Sequence, residues 1–136
     1  MKRKYLEEIG VDLSNTPWGW NNDDTERKRE WSIEKEIKGF DSREIWSLDY
    51  TMDLLLYERL CNYKEVASEF LDLKFNKFKF KNEELTLEEC LDRMIKGLKY
   101  HITLDEMDEK RGNAEVKKAI AEIYEIYSIC NRSLWL

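Results

Sequence analysis

The chain has 136 residues, which is enough for a single domain with a substantial hydrophobic core. Its net charge of −6 is spread along the sequence with no basic block, so a non-specific grip on nucleic acid is not expected. Hydrophobic residues make up 42% of the chain, which argues against disorder, and a single proline with five glycines favours long helices.

Cysteine usage and the first residues indicate the compartment. Cys61, Cys90 and Cys130 are an odd set without a Cys-x-x-Cys pair, which fits a reducing cytoplasm better than a disulfide framework. The basic residues at positions 2–4 are not followed by the apolar run of a signal peptide, and no segment has the length and apolarity needed to span a bilayer. We therefore expect a soluble cytoplasmic protein with no membrane partner.

The first 38 residues are predicted to form a peripheral segment. Residues 2–9 favour a short helix that ends at Gly10. Residues 11–22 favour an ordered loop, because Trp18 and Trp20 in a mobile loop would expose a large apolar area.

A charged helix is predicted over residues 24–38, after a capping-box pair formed by Asp23 and Glu26. Its apolar stripe consists only of Trp31, Ile33 and Ile37. A stripe this thin is typical of a helix at the periphery of a fold.

The most apolar helix is predicted over residues 42–67, and the spacing of Asp41 and Glu44 is that of a capping box at its start. Large apolar residues recur at helical spacing and predict its core face. These residues are Ile45, Leu48, Met52, Leu55, Leu56, Leu60, Tyr63 and Val66.

A change of period predicts a small β-hairpin near residues 70–86. Residues 70–75 and 77–81 alternate between apolar and charged side chains, and residues 82–84 are suited to a turn. Because an isolated two-stranded ribbon is only marginally stable, we expect it to pack on helices.

Two further helices are predicted to form an antiparallel pair packed against the helix over 42–67. The first begins at a capping box, Thr86 with Glu89, and the second begins near residue 104. The apolar side of the first helix contains Leu87, Leu91, Met94, Ile95, Leu98 and Ile102. The sequence thus predicts a mainly α fold, a compact helical bundle with a small β-hairpin on one edge. It forms a single domain over 1–136, in which residues 39–136 form the core.

Residues that carry common enzyme chemistry are scarce. His101 is the only histidine, and no cysteine or serine near it in the sequence has the signature of a nucleophile. No closely spaced Cys and His residues suggest zinc, and no glycine-rich loop suggests a phosphate site. We therefore expect no catalytic activity, no metal and no cofactor.

A ligand site is one alternative hypothesis. Four residues of the central helix lie at spacings of four, three and four, and rings around a carboxylate can line a pocket for a cationic or base-like ligand. Lysines of the hairpin are added to this candidate ligand site. Two alternative interpretations exist: lysines on an exposed strand prevent edge-to-edge pairing, and the rings of the helix pack beneath the N-terminal segment. The residues are Trp46, Tyr50, Asp53, Tyr57, Lys77, Lys79 and Lys81. Such a site implies a small-molecule or nucleotide-sequestering protein that is formed by oligomerisation.

Tryptophan usage points to protein binding instead. Five tryptophans in 136 residues are many, and tryptophan is over-represented among binding hot spots. Trp135, near an apolar terminus, is expected to dock on the core or to contact another subunit. The candidate partner-binding residues are Trp18, Trp20, Asp23, Asp24 and Trp31.

Over residues 39–136 the chain resembles a group of small uncharacterised proteins encoded by tailed phages and prophages. The resemblance lies in Gly-Phe-Asp at 39–41, Trp-Ser-Leu-Asp-Tyr-Thr at 46–51 and the Leu-Trp pair at 134–135. It implies a phage accessory protein that acts in the bacterial cytoplasm. Such a protein is expected to bind and inhibit, or redirect, a host protein, including one of a defence system.

Overall fold

The computed structural model describes residues 2–104 and 114–136, and its architecture is mainly α with one small hairpin. This confirms the fold class predicted from the sequence. The elements are α1 (Lys4–Glu8), α2 (Thr25–Lys38), α3 (Arg43–Trp46), α4 (Leu48–Phe70), β1 (Lys77–Phe80), β2 (Glu83–Thr86), α5 (Leu87–Thr103) and α6 (Ala114–Cys130). Short 3-10 turns occur at Leu13–Asn15 and Asn131–Ser133.

The chain divides into two compact units, Met1–Leu55 and Leu56–Leu136. The boundary falls inside α4, which runs without interruption from one unit into the other, and not between residues 38 and 39. The peripheral segment and the start of the central helix are therefore parts of one unit.

In the first unit, α2 is bounded by two local signals. The Asp24 carboxylate accepts a hydrogen bond from the backbone N–H of Arg27 at 3.2 Å, so the helix is capped one residue later than Asp23, the predicted cap. Gly39 ends the helix with a φ of +88°, a conformation that glycine adopts at little cost. Between these ends only Trp31 is buried, and both Ile33 and Ile37 are exposed.

The central helix differs from the prediction in continuity and in orientation. Ser47 interrupts the helical path, so α3 is one short turn and α4 begins at Leu48. The predicted core face is wrong for Ile45, Leu48 and Met52, which are all about half-exposed. Leu60 is buried as predicted, and the other buried residues of this helix include Tyr50, Asp53, Leu54 and Tyr57, which the predicted face did not contain.

In the second unit, β1 and β2 form the predicted hairpin over fewer residues than expected. They pair antiparallel with Phe78 opposite Leu85, around a two-residue turn in which Lys81 has a φ of +54°. The strand expected over 70–75 is absent from the structure, because α4 continues to Phe70 and residues 73–75 form a turn. The hairpin contacts α5 through β2 and α6 through β1. This packing was expected, because a two-stranded hairpin alone is only marginally stable.

Helices α5 and α6 pack against each other in an antiparallel pair. The predicted capping box is present, since the Thr86 hydroxyl accepts from the Glu89 N–H at 3.1 Å and the Glu89 carboxylate accepts from the Thr86 N–H at 3.1 Å. The predicted apolar side of α5 is buried except for Ile95, which is half-buried. Leu104, near which the last helix was predicted to begin, instead caps the end of α5, and residues 105–113 lie outside the described part of the chain.

The register of this helix pair follows from two contacts. The thiols of Cys90 and Cys130 are hydrogen bonded to each other, and both cysteines are fully buried. Two turns along α5, a Cβ on Gly97 would lie 2.8 Å from side-chain carbons of Ile123, so the two helices approach closely there. Hydrogen bonding to Cys90 and burial raise the pKa of Cys130, which therefore stays protonated.

The second half of α4 forms an ion pair with α5. The ammonium group of Lys64 forms an ion pair with the Asp92 carboxylate of α5. Both side chains of this pair are partly exposed, so it is a surface contact, and packing of the paired helices against the central one stays a prediction.

Candidate functional site

A buried ion pair organises the first unit. The guanidinium of Arg43 donates to the Asp41 carboxylate twice, from Nη2 at 2.8 Å and from Nε at 3.1 Å. The backbone N–H of Arg43 donates to the same carboxylate at 2.9 Å. Asp41 is 1% exposed and Arg43 is 4% exposed, so the pair is shielded from water and its geometry is that of a two-point contact.

The second arm of the guanidinium holds the tryptophan-containing loop. Arg43 Nη1 donates to the carbonyl oxygen of Trp20 at 3.0 Å and to the side-chain oxygen of Asn22 at 2.7 Å. Its carbon Cζ lies 4.2 Å from the centroid of the Trp31 ring, within the range of a cation–π contact. One side chain therefore fixes the loop, α2 and the start of α3 relative to one another.

Four tryptophans lie around this ion pair. The ring of Trp46 is stacked with that of Trp20, with centroids 6.5 Å apart and planes 9° apart. It meets the edge of Trp31 at 6.1 Å with an interplanar angle of 76°. Trp18 lies apart from this stack, where its indole N–H donates to the Glu44 carboxylate at 3.2 Å.

Glu44 also closes the turn that begins α3. Its carboxylate accepts from the backbone N–H of Asp41 at 3.1 Å, which is one half of the predicted capping box. The other half is missing, because the Asp41 carboxylate is engaged by Arg43 and makes no cap to Glu44. The same sequence signal therefore supports an ion pair as well as a helix start.

An apolar surface lies where α3 ends and α4 begins. We call it the Trp46 surface, and it comprises the exposed Ile45, Trp46, Leu48 and Met52. Trp46 is 50% exposed, although one face of its ring is stacked on Trp20. Large apolar side chains that remain half in water at adjacent positions are typical of a surface used for contact.

The structure separates the residues predicted to bind a partner. Trp18 is 6% exposed and Trp31 is 4% exposed, so in this conformation neither ring is available to a partner as an anchor. Trp20 is half-buried and contacts Trp46, Asp23 is exposed, and Asp24 serves as the cap of α2. Of the predicted aromatic anchors, Trp20 alone adjoins an exposed surface, and the ring beside it is Trp46.

The residues of the alternative ligand site are placed in different surroundings. Tyr50, Asp53 and Tyr57 are buried along α4, so protein already covers the ring faces on which a base would stack. Trp46 is half-exposed, and the lysines at 77, 79 and 81 are exposed on the hairpin of the second unit. The geometry therefore gives no support to base stacking on this helix face.

Four residues that sequence reasoning misplaced or did not consider define the surface and its support. Ile45, Leu48 and Met52 had been placed in the core because their spacing is helical, and Arg43 was not considered. A signal for Arg43 does exist in the sequence, since a basic residue two positions after a cap residue can fold back on its carboxylate.

His101 is buried near the end of α5. Within residues 2–104 and 114–136, no three His, Cys, Asp or Glu side chains are grouped so as to hold a metal ion. Across the same residues, no helix is both long and apolar enough to cross a membrane.

Comparison of the chain with protein-family models, with curated proteins and with solved structures finds no match in any of the three. The candidate site is therefore argued from its own geometry.

Proposed function

We propose that this protein is a non-enzymatic phage accessory protein whose first unit binds a host protein through the Trp46 surface. The observation that carries the proposal is the half-exposed Trp46 ring, held from behind by Trp20 and Trp31. A large ring fixed in advance loses little conformational entropy on binding, which is the property of a hot-spot anchor. Ile45, Leu48 and Met52 supply the apolar area around it.

The charge of the first unit indicates the chemistry of the partner. Its 55 residues include nine basic and thirteen acidic side chains, a net charge of −4. Asp49, next to Leu48, is exposed in the first turn of α4. A partner with an apolar centre and a basic rim would be complementary, and attraction between opposite charges would speed the encounter.

Trp46→Ala is expected to weaken binding of the host protein at least tenfold, because it removes the anchor ring. The experiment is capture from a bacterial lysate, identification of the retained protein, and measurement of its dissociation constant with purified components. Tyr100→Ala is the matched control, since Tyr100 is an exposed aromatic residue in the other unit. Circular dichroism would establish that both variants are folded.

Two outcomes would refute the proposal. In one, the wild type and Trp46→Ala capture the same proteins from the lysate. In the other, a partner is found and its affinity is the same for the wild type and for Trp46→Ala. Rising salt should lower the association rate, and an association rate independent of salt would argue against the basic rim.

A further inference from the structure

A second apolar surface lies in the second unit, where the end of α4 meets the chain after α6. We call it the C-terminal patch, and it consists of the exposed residues Phe70, Leu71, Phe75, Trp135 and Leu136. Phe75 is 80% exposed and Trp135 is 68% exposed, which is unusual for rings of this size. The patch shares no residue with the Trp46 surface and does not depend on the function proposed above.

The patch contains a cavity as well as exposed aromatic rings. A cavity of about 210 Å³ opens between the turn after α4 and the chain at Trp135, and its apolar lining includes Leu71, Leu73, Phe75, Leu87 and Trp135. An apolar cavity of about 150 Å³ is large enough to bind benzene. The space here is larger, is open on one side and is also lined by Asp72, Asn76 and Ser133, so it has room for one aromatic side chain beside the Trp135 ring that forms part of its wall.

The position of Trp135 is fixed from the inside. The Tyr63 hydroxyl of α4 lies 3.0 Å from the carbonyl oxygen of Trp135 and 3.2 Å from that of Ser133, and donates to them. Partial burial raises the pKa of Tyr63, so the donor proton is retained at neutral pH. The backbone at Trp135 is therefore held on α4, while its ring, contrary to the expected docking of this terminus on the core, remains in water.

A knob and a hole on the same patch are the requirement for a two-fold symmetric contact between identical chains. We propose that the C-terminal patch is the interface of a homodimer, in which Trp135 of each copy enters the cavity of the other. The mixed charges near the patch in sequence fit this occupant. Glu69, Asp72, Lys74 and Lys77 are all exposed and sum to zero, and the exposed Arg132 adds one positive charge, so repulsion between like charges is small despite the net charge of the chain.

The exposed area sets the strength of this dimer. The three rings of the patch expose on the order of 400 Å² per copy, given the area that a Phe or Trp side chain presents. Two such patches fall below the roughly 1,200 Å² that marks the lower limit of stable interfaces. The dimer is therefore a weak one that forms as the protein concentration rises.

Sedimentation of the full chain between about 1 µM and 1 mM tests this inference. The mean mass is expected to rise from 16.5 kDa toward twice that value. Trp135→Ala and Phe75→Ser should each raise the dissociation constant at least tenfold, since each removes a ring from the interface. Tyr100→Ala, which removes an exposed ring outside the patch, should behave as the wild type.

Each alternative outcome is decisive. A monomer at every concentration overturns the dimer, and a monomer that uses Trp135 to bind a different protein assigns the patch to that partner instead. Dimerisation that survives both patch variants but is lost in Trp46→Ala would place the self-interface on the first unit. Phe75 is 80% exposed, so Phe75→Ser removes little packing and keeps the test valid if Trp135→Ala disturbs the fold.

Discussion

Asp41→Asn is expected to lower the free energy of unfolding by about 3–5 kcal/mol, the cost of leaving one partner of a buried ion pair without the other. Asparagine has nearly the volume of aspartate, so the loss does not come from a cavity. It comes from the Arg43 guanidinium, which stays in a site shielded from water without its counter-charge. The same guanidinium holds the Trp20 loop, so the disturbance reaches the support of the Trp46 surface.

Urea unfolding followed by circular dichroism measures this effect. Lys35→Ala is the matched control, because Lys35 approaches the same carboxylate at 3.6 Å from a largely solvated position. Because the Lys35 ammonium remains partly in water and is not hydrogen bonded to Asp41, we expect its removal to cost no more than the roughly 0–1 kcal/mol of a surface ion pair. Equal losses in the two variants would contradict the importance assigned to the buried pair.

The same carboxylate makes stability depend on pH. Burial alone would raise the pKa of Asp41, but hydrogen bonds and charge from Arg43, with a smaller contribution from Lys35, outweigh it and hold the pKa below the ordinary value of 3.8. A pKa that is lower in the folded state means that the unfolded chain binds the proton more readily. The stabilisation is therefore present above about pH 4 and is lost as the pH falls through the folded pKa.

Unfolding curves recorded from pH 7 down to pH 3 would show this loss. The difference in stability between the wild type and Asp41→Asn is expected to be constant near neutrality and to shrink below about pH 4. A difference that grows on acidification would reverse the sign and refute the assignment.

Local signals predicted the second unit well. The capping box at Thr86 and Glu89 and the apolar side of α5 depend on neighbours within one or two helical turns, and both are present in the structure. The hairpin also follows from local alternation, although its first predicted strand is replaced by a turn at 73–75. There the Asp72 carboxylate accepts from the Lys74 N–H, a side-chain contact that competes with strand pairing.

The first unit was harder to predict because its core is built from contacts far apart in sequence. Arg43 reaches back 23 residues to the Trp20 carbonyl, and no local period contains that contact. Apolar spacing shows which residues share a helix face, but it does not show which of two faces is covered. On α4 the covered face carries Tyr50 and Asp53, and the face with Leu48 and Met52 remained exposed.

The candidate site in the structure therefore lies beside the residues predicted from the sequence, around Trp46 rather than around Trp18 and Trp31. Tryptophan content drew attention to the region, but Trp18 and Trp31, two of the predicted anchors, are buried. Whether the Trp46 surface binds a host protein stays a prediction until the capture experiment is done.

Gly19→Ala is expected to destabilise the protein by about 3 kcal/mol, at the upper end of the usual cost of overpacking. A Cβ at this position would lie 2.1 Å from the carbonyl oxygen of Leu13 and 2.6 Å from the Cα of Ser14. Both atoms belong to the backbone, so no side-chain rotation relieves the clash. The loop must therefore shift. This shift is costly because the Gly19 N–H donates a hydrogen bond to the Thr16 carbonyl at 2.9 Å, which holds Gly19 close to the preceding residues.

Gly39→Ala is the matched control, since it adds the same methyl group for a different reason. Nothing lies within 4 Å of a Cβ on Gly39, and the cost there is only the left-handed backbone with its φ of +88°. That conformation costs an alanine roughly 1–2 kcal/mol. Thermal unfolding of the two variants should therefore give a larger fall in Tm for Gly19→Ala. The reverse order would mean that the loop carrying Trp18 and Trp20 is less tightly packed against residues 13 and 14 than the structure shows, and that the support of the Trp46 ring is correspondingly weaker.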